Sequence, residues 1–290
     1  MERTSRSRRE KEKIDVSFVI VTWNSENEIG NCLSSIFSEV SCSFEAIVVD
    51  NASSDSTLEV IKKFPETKLI ANSENLKFAR GTNQGLQISQ GKFKMLLNPD
   101  TILTKNSIEK LITFLEENEK VGAVAPKLLN LDKSIQPSCR RFPTFRTLFF
   151  EMFLLSRIFP KSNFFSSYKM PNFTHNETCE VDQPQGAALL VKNQVLEEIG
   201  LLDENFPMFF NDVDFCFRIK RAKWKIYFLA ESEVLHVKGA SIYKVRKKMI
   251  KALHESFFDY LKKHYPQEKL LLQLSKPLLY FTSKLRSVFV

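Results

Sequence analysis

Short apolar runs alternate along this chain with stretches whose apolar residues recur every three or four positions. Val16-Ser17-Phe18-Val19-Ile20-Val21 is apolar and β-branched and stops at Thr22-Trp23-Asn24, the pattern of a buried strand. Behind it Ile29, Cys32, Leu33, Ile36 and Phe37 follow helical spacing, with Ser25 and Glu28 forming a capping signature. The unit repeats. Residues 44–49 read as a second strand ending on Asp50-Asn51, Ser53-Ser54-Asp55 as the cap of a helix carrying Leu58, Ile61 and Phe64, and residues 68–71 as a third, short strand. After a polar loop at 72–77, the segment from Phe78 leads into a helix reaching Gly91. Met95-Leu96-Leu97 is the central strand, stopping at Asn98-Pro99, so Asp100 leaves the sheet at a C-terminal strand edge, followed by Thr101 and a fresh helix start. Residues 107–117 form a helix and 121–125 a strand closed by Pro126. Strands alternating with helices in this way predict right-handed βαβ units: an α/β fold with a mostly parallel central sheet flanked by helices. Such sheets place their chemistry beyond the C-terminal strand ends, where Asp50 and Asp100 fall.

The second half is patterned differently. Residues 142–165 are dense in Phe and Leu yet interrupted by Arg146, Glu151 and Arg157, too short and too charged to span a bilayer. Two readings fit: a buried core helix, or an interfacial helix flanked by Arg140, Arg141, Arg157 and Lys161. A strand at 187–191, a helix at 194–199 stopped by Gly200, a helix at 211–222 and strands at 225–230 and 234–236 follow. Two amphipathic basic helices close the chain, 243–265 with Ile250, Leu253, Phe257 and Leu261 inside, and 270–290 with Leu271, Leu274, Leu278, Phe281 and Leu285 in register. Their basic faces suit either domain packing or a membrane surface.

Charge sharpens this picture. The 290 residues hold 42 Lys and Arg against 34 Asp and Glu, and the excess is clustered at 3–13, 220–225 and 244–251, which calls for an acidic partner. The clusters lie on amphipathic helices without interleaved stacking aromatics, which argues against nucleic acid. Five scattered cysteines show no C-x-x-C spacing, so zinc and a disulfide framework are disfavoured and a reducing compartment fits. MERTSRSRREKEK has no apolar region behind it and reads as a disordered basic tail rather than a signal peptide. No G-x-G-x-x-G follows a strand, no P-loop is complete, and His254-Glu255 lacks the second His of a zincin helix. Carboxylates at strand and helix ends remain: Asp50, Asp100, Asp212 and Asp214. The last two stand two positions apart at a helix start and point apart, so one is free to cap or pack while the other faces a cleft.

The chain resembles the family 2 glycosyltransferases of the GT-A fold, and within them the rhamnosyltransferase-like enzymes of bacterial surface-polysaccharide assembly. The resemblance rests on residues 19–24 and 48–55, Asn75 with 78–85, Leu97-Asn98-Pro99-Asp100 and Gln185-Gly186-Ala187. It continues through residues 209–218, Arg221-Ala222-Lys223-Trp224 and His236-Val237-Lys238-Gly239-Ala240-Ser241. It covers about residues 14–241, and so divides the chain into a tail (1–13), a GT-A domain (14–241) and a C-terminal helical extension (242–290).

The resemblance implies a nucleotide-sugar donor, a dTDP- or UDP-sugar, held by Thr22, Asn24, Asp50, Asn83 and Asn98. Asp100 stands in the family's D-x-D position and, with His236, would bind Mg²⁺ or Mn²⁺ and through it the diphosphate; Asn98 replaces the first acid of that motif. Asp212 matches the general base of an inverting transfer, with Asp214 and Trp224 nearby in the motif, and Asn211 stands where many relatives have Glu. Loops at 138–142 and 181–187 would shape the sugar pocket. The implied partners are a polyprenyl-diphosphate-linked glycan acceptor and the inner face of the cytoplasmic membrane, on which the protein would be peripheral, with rhamnose the favoured sugar. A transferase with a soluble acceptor and an inactive, membrane-associated relative are the alternatives.

Overall fold

A computed structural model describes residues 13–237 and 246–288. The basic tail at 1–12, the Lys238-Gly239-Ala240-Ser241 stretch, the start of the penultimate helix at 243–245 and the last two residues lie outside the described residues.

Every residue of β1 (Val16–Thr22) is buried, as a strand covered on both faces requires. α1 (Ile29–Glu39) follows, then β2 (Phe44–Asp50), a five-residue α2 (Thr57–Ile61), β3 (Lys68–Ala71), α3 (Lys77–Ile88) and β4 (Phe93–Leu97). β2, β3 and β4 add parallel to one another around β1, in the order β3-β2-β1-β4. α3 lies close on β1 because Gly81 and Gly85 face it: an added Cβ would stand 3.0 Å from Val21 at Gly81 and 2.5 Å from Val19 at Gly85.

β5 (Thr101–Leu103), α4 (Ser107–Glu117) and β6 (Val121–Leu129) come next, followed by β7 (Cys139–Arg140), α5 (Phe145–Met152) and α6 (Leu155–Ile158). The chain continues through β8 (Cys179–Glu180), β9 (Gln183–Pro184), β10 (Ala188–Lys192), α7 (Asn193–Ile199), α8 (Asn211–Arg221) and β11 (Lys225–His236). α9 (Arg246–His264) and α10 (Lys269–Val288) complete it. β10 inserts antiparallel between β4 and β6, and β11 runs parallel to β6. β1 to β4, β6 and β11 therefore share one direction, while β5, β8 and β10 run against it, giving the expected mostly parallel sheet between helices.

Several local expectations are corrected. The chain after Asp100 is a strand, not a helix start, because residues 101–103 find an antiparallel partner in β11, with Thr101 opposite His236. β6 runs through Pro126: β10 pairs only with Ala123 and Val124, so beyond them one side of β6 needs no N–H for that neighbour. The two strands expected at 225–230 and 234–236 are one strand with an irregularity between Leu229 and Glu233. Ser25 does not cap α1 with its side chain; its hydroxyl turns to the Trp23 carbonyl while its own carbonyl accepts the Glu28 and Ile29 N–H groups. The apolar stretch 142–165 is neither one buried helix nor one interfacial helix. Leu154, in the left-handed region at φ 57°, separates α5 from α6, with one side buried and the other open to solvent.

The two C-terminal helices pack on the body of the molecule. Tyr260 and Leu261 of α9 and Leu279 of α10 are buried with Leu148, Met152, Phe206, Phe210 and Val213.

Candidate active site

Strands β1 and β2 end side by side, and the loops behind them are laced together. Asp50 Oδ1 accepts from the Thr22 hydroxyl at 3.0 Å and the Ser53 hydroxyl at 2.5 Å, and Oδ2 accepts the Ser53 N–H at 2.9 Å. Asn24, in the left-handed region at φ 52°, accepts the Ser54 N–H on its side-chain oxygen at 2.8 Å and donates its own N–H to the Ser53 hydroxyl. Thr22, Asn24 and Asp50 thus form one rigid edge. Asp50 is 1% exposed, and its Oδ2 carries a single N–H.

β4 ends at Asn98, whose N–H donates to the Ala187 carbonyl and whose carbonyl accepts the Thr101 hydroxyl. The β5–β11 pairing then brings His236 to Asp100: Nε2 stands 3.3 Å from Oδ1. Gln136, absent from the sequence-derived set, assigns the proton. Its amide nitrogen donates to Asn130 Oδ1 and to the His236 carbonyl, leaving its oxygen to accept from His236 Nδ1 at 2.6 Å. With the proton on Nδ1, neutral His236 turns an Nε2 lone pair toward Asp100 Oδ1, a buried oxygen without a hydrogen-bond partner. Two facing lone pairs of this kind suit a shared cation, and Gln136 behind the imidazole orients it as partners of metal-bound histidines do. Among the described residues no cluster of three or more His, Cys, Asp or Glu forms, so a cation here would draw its remaining ligands from substrate oxygens and water. Gln136 lies 100 positions from His236 in a polar loop, and no sequence signal marked it.

Asp212 faces a cleft of about 220 Å³ lined by Ser138, Arg140, Tyr168, Gln183, Gln185 and Phe210, among others. Phe210, strained at φ 65°, starts α8 and places Asp212 in its first turn. The carboxylate accepts the Gly186 N–H on Oδ2 at 3.1 Å and the Val213 N–H on Oδ1 at 2.9 Å. Burial pushes its pKa up, and the two N–H bonds, which act the other way, do not offset it. A side chain at 186 would not fit easily, since an added Cβ would lie 3.0 Å from Asp212 Cβ. Gly186 and Ala187 also connect the two centres, one bonded to Asp212 and the other to Asn98.

The structure does not bring every expected residue to this edge. Asn83 is 5% exposed and committed elsewhere: its amide donates to the Leu202 carbonyl and to Glu204, and its oxygen accepts the Leu202 N–H. It anchors loop 202–204 to α3. Asp214 points away from Asp212 into a fully buried pairing with Arg218 at 2.8 Å, Lys263 at 2.6 Å and His264 at 2.8 Å. Burial alone would raise its carboxyl, but these three donors outweigh it and hold the pKa down at about 2. Trp224 sits at the opposite edge of the sheet, packed on Gly122 and donating to Glu198, beside an open groove of about 1160 Å³ that contains none of the site carboxylates. The Asn98 side chain makes no hydrogen bond among the described residues and stays available at the β4 end.

A twisted, mostly parallel sheet with carboxylates gathered past its C-terminal edge and helices on both faces defines the GT-A class of nucleotide-sugar transferases. Residues 17–169 match the model of Glycosyl transferase family 2, and the chain belongs to that family. It is 29% identical over 216 residues to the low-salt glycan biosynthesis hexosyltransferase Agl10 of Haloferax volcanii, covering 71% of this chain and 62% of that one. It is 24% identical over 255 residues to an N-acetylglucosaminyl-diphospho-decaprenol L-rhamnosyltransferase of Mycobacterium tuberculosis, covering 84% of this chain and 82% of that one. The mannosyltransferase PcManGT of Pyrobaculum calidifontis, solved with GDP-Man and Mn²⁺, shares the fold with a TM-score of 0.59 at 17% identity, over 94% of this chain and 74% of that one.

Proposed function

We propose that this protein is an inverting glycosyltransferase that moves a sugar, with rhamnose favoured, from a dTDP- or UDP-linked donor to a hydroxyl of a growing, polyprenyl-diphosphate-linked cell-surface glycan. The observation that carries the reading is Asp212: a carboxylate of raised basicity, held by two backbone N–H groups at the cleft wall and joined through Gly186-Ala187 to the Asn98–Asp100 turn. The acceptor class and the sugar are supported by the rhamnosyltransferase relative, whose printed name carries both.

The nucleotide lies against the β1–β2 edge, where Thr22, Asn24 and Asp50 face its base and ribose, with Asn98 at the next strand end. Asn83 acts at one remove, by fixing loop 202–204. Asp100 and His236 hold Mg²⁺ or Mn²⁺, and the imidazole nitrogen favours the transition ion. When bound, that cation supplies charge neutralisation on the departing diphosphate. Asp212 takes the proton of the acceptor hydroxyl as its oxygen forms the new bond to the anomeric carbon. The bond from that carbon to the diphosphate breaks on the opposite face, the nucleoside diphosphate leaves with the electron pair, and the configuration inverts. The protein works at the inner face of the cytoplasmic membrane as a peripheral protein; no described helix is long and apolar enough to cross a bilayer.

The test is nucleotide release from a panel of dTDP-, UDP- and GDP-sugars, with Mg²⁺, Mn²⁺ or chelator, in the presence of polyprenyl-diphosphate-sugar acceptors. Metal-dependent release from one donor, with the product's anomeric configuration inverted, is expected. Silence across the panel together with no donor binding would replace this reading with that of an inactive relative.

A further inference from the structure

The outward side of α5 and α6 carries an exposed aromatic surface. Phe149 is 48% exposed, Phe153 50%, Phe159 47% and Phe164 56%, and Ile158 between them is 62% exposed. The rings are contiguous: Phe149 contacts Phe153 at 4.5 Å, Phe164 contacts Phe165 at 5.2 Å and Phe159 contacts Phe165 at 5.0 Å, with Phe150 joining the two groups. Half-exposed phenylalanines scattered singly need no explanation, but a connected set exposes an apolar patch that water does not favour. Core packing does not account for it, since the inward side of α5 is already satisfied by Leu148 and Met152.

Charge selects what covers the patch. Arg146 lies over the Phe164 ring at 5.4 Å, and Arg157 and Lys161 are exposed beside Ile158 and Phe159. The single acid between residues 142 and 169, Glu151, is paired with Lys169 at 2.9 Å. α10, which packs against α5, exposes Leu270, Leu274 and Tyr280 and contains lysines and an arginine but no acid. A second copy of this face would meet it with like charge, whereas an anionic headgroup layer complements the cations and its acyl boundary receives the rings.

We propose that the α5–α6 face is a docking surface for an anionic lipid bilayer, with Phe149, Phe153, Ile158, Phe159 and Phe164 seated at the headgroup boundary and Arg146, Arg157 and Lys161 on lipid phosphates. The face stands directly behind the reaction cleft. Leu148 and Met152, on the other side of α5, line an apolar channel of about 140 Å³ with Tyr168, Phe210 and Leu253, and those last three residues also line the Asp212 cleft. Docking thereby brings the cleft to the surface in which a lipid-linked acceptor is dissolved. That consequence rests on the transferase reading; the docking itself does not.

The experiment is cosedimentation of the full chain with vesicles of phosphatidylcholine alone or mixed with phosphatidylglycerol, for wild type, Phe153→Ser/Phe159→Ser and Arg157→Glu/Lys161→Glu. All four positions are exposed, so both variants are expected to keep the wild-type melting temperature. Wild type binds the mixed vesicles and not the neutral ones. The serine pair weakens binding about tenfold, and the glutamate pair roughly 30-fold. The proposal is overturned by a wild type that stays in the supernatant, by equal binding to neutral vesicles, or by variants that bind as wild type does. It is also overturned by a lipid-free dimer, seen in sedimentation velocity, that the serine pair dissociates. Nucleotide release with detergent-solubilised acceptor is read in parallel: if it is absent while vesicle binding is intact, the transferase reading fails and the docking surface stands.

Discussion

Asp212 and Asp214 are separated by one residue, yet the fold gives their carboxyls opposite properties. Asp212 is raised by burial with only two N–H groups to stabilise its charge, while Asp214 meets three cationic or imidazole donors and is depressed to about 2. Asp212→Asn is therefore expected to lower kcat by about 10²–10⁴ and leave donor affinity unchanged. Its melting temperature should hold, because ionising a carboxyl whose folded pKa is raised costs the folded state stability at neutral pH. Retained turnover in that variant removes Asp212 from the role of base. In the wild type, the acidic limb of kcat/KM should lie above the ordinary carboxyl value of 3.8. Gln136 is the residue whose importance is least visible in the sequence. Gln136→Leu frees His236 to place its proton on either nitrogen, and Mn²⁺ affinity measured by titration calorimetry is expected to fall 10–100-fold while the donor-free protein stays folded.

At the scale of elements, the α3 contact with β1 is built from absent side chains. Gly85 faces Val19 so closely that a methyl would stand 2.5 Å from its Cγ1. Gly85→Ala is expected to cost about 1–3 kcal/mol in urea unfolding through overpacking; no loss of stability would show that α3 shifts freely on the sheet. The stretch 78–85 was legible as motif and helix, but its task was not. Asn83, read as a nucleotide contact, spends its amide on loop 202–204, a partner about 120 residues away. β5 shows the same limit. Residues 101–103 carry no pattern that outweighs a helix start, and they become a strand only because β11 offers an edge more than 130 positions later.

For the whole molecule, the Asp214 cluster is the joint between α8 and α9. Its folded pKa lies below the unfolded value near 3.8, so its contribution is fully present above that value and is lost as pH falls through about 2. The shift corresponds to about 2 kcal/mol. Melting temperatures measured from pH 5 down to pH 2 should drop more steeply for wild type than for Asp214→Asn, which should already be destabilised at pH 5. Parallel curves displaced by nothing would mean that the cluster does not hold α9. The C-terminal helices owe their place to this joint and to Tyr260, Leu261 and Leu279.

The sequence alone determined the strand–helix alternation, the carboxylates at strand ends and the family, because each of these is written in local periodicity or in short motifs whose residues stand together in the chain. Only the tertiary structure decided that β10 inserts antiparallel beside β4, that His236 faces Asp100 with Gln136 behind it, that Asp214 and Trp224 serve packing while Asp212 faces the cleft, and that the Phe-rich stretch breaks into two helices with an open side. Each of those outcomes depends on which distant backbone edge or buried charge is nearest once the chain is folded, and side-chain spacing along the sequence carries no record of that distance.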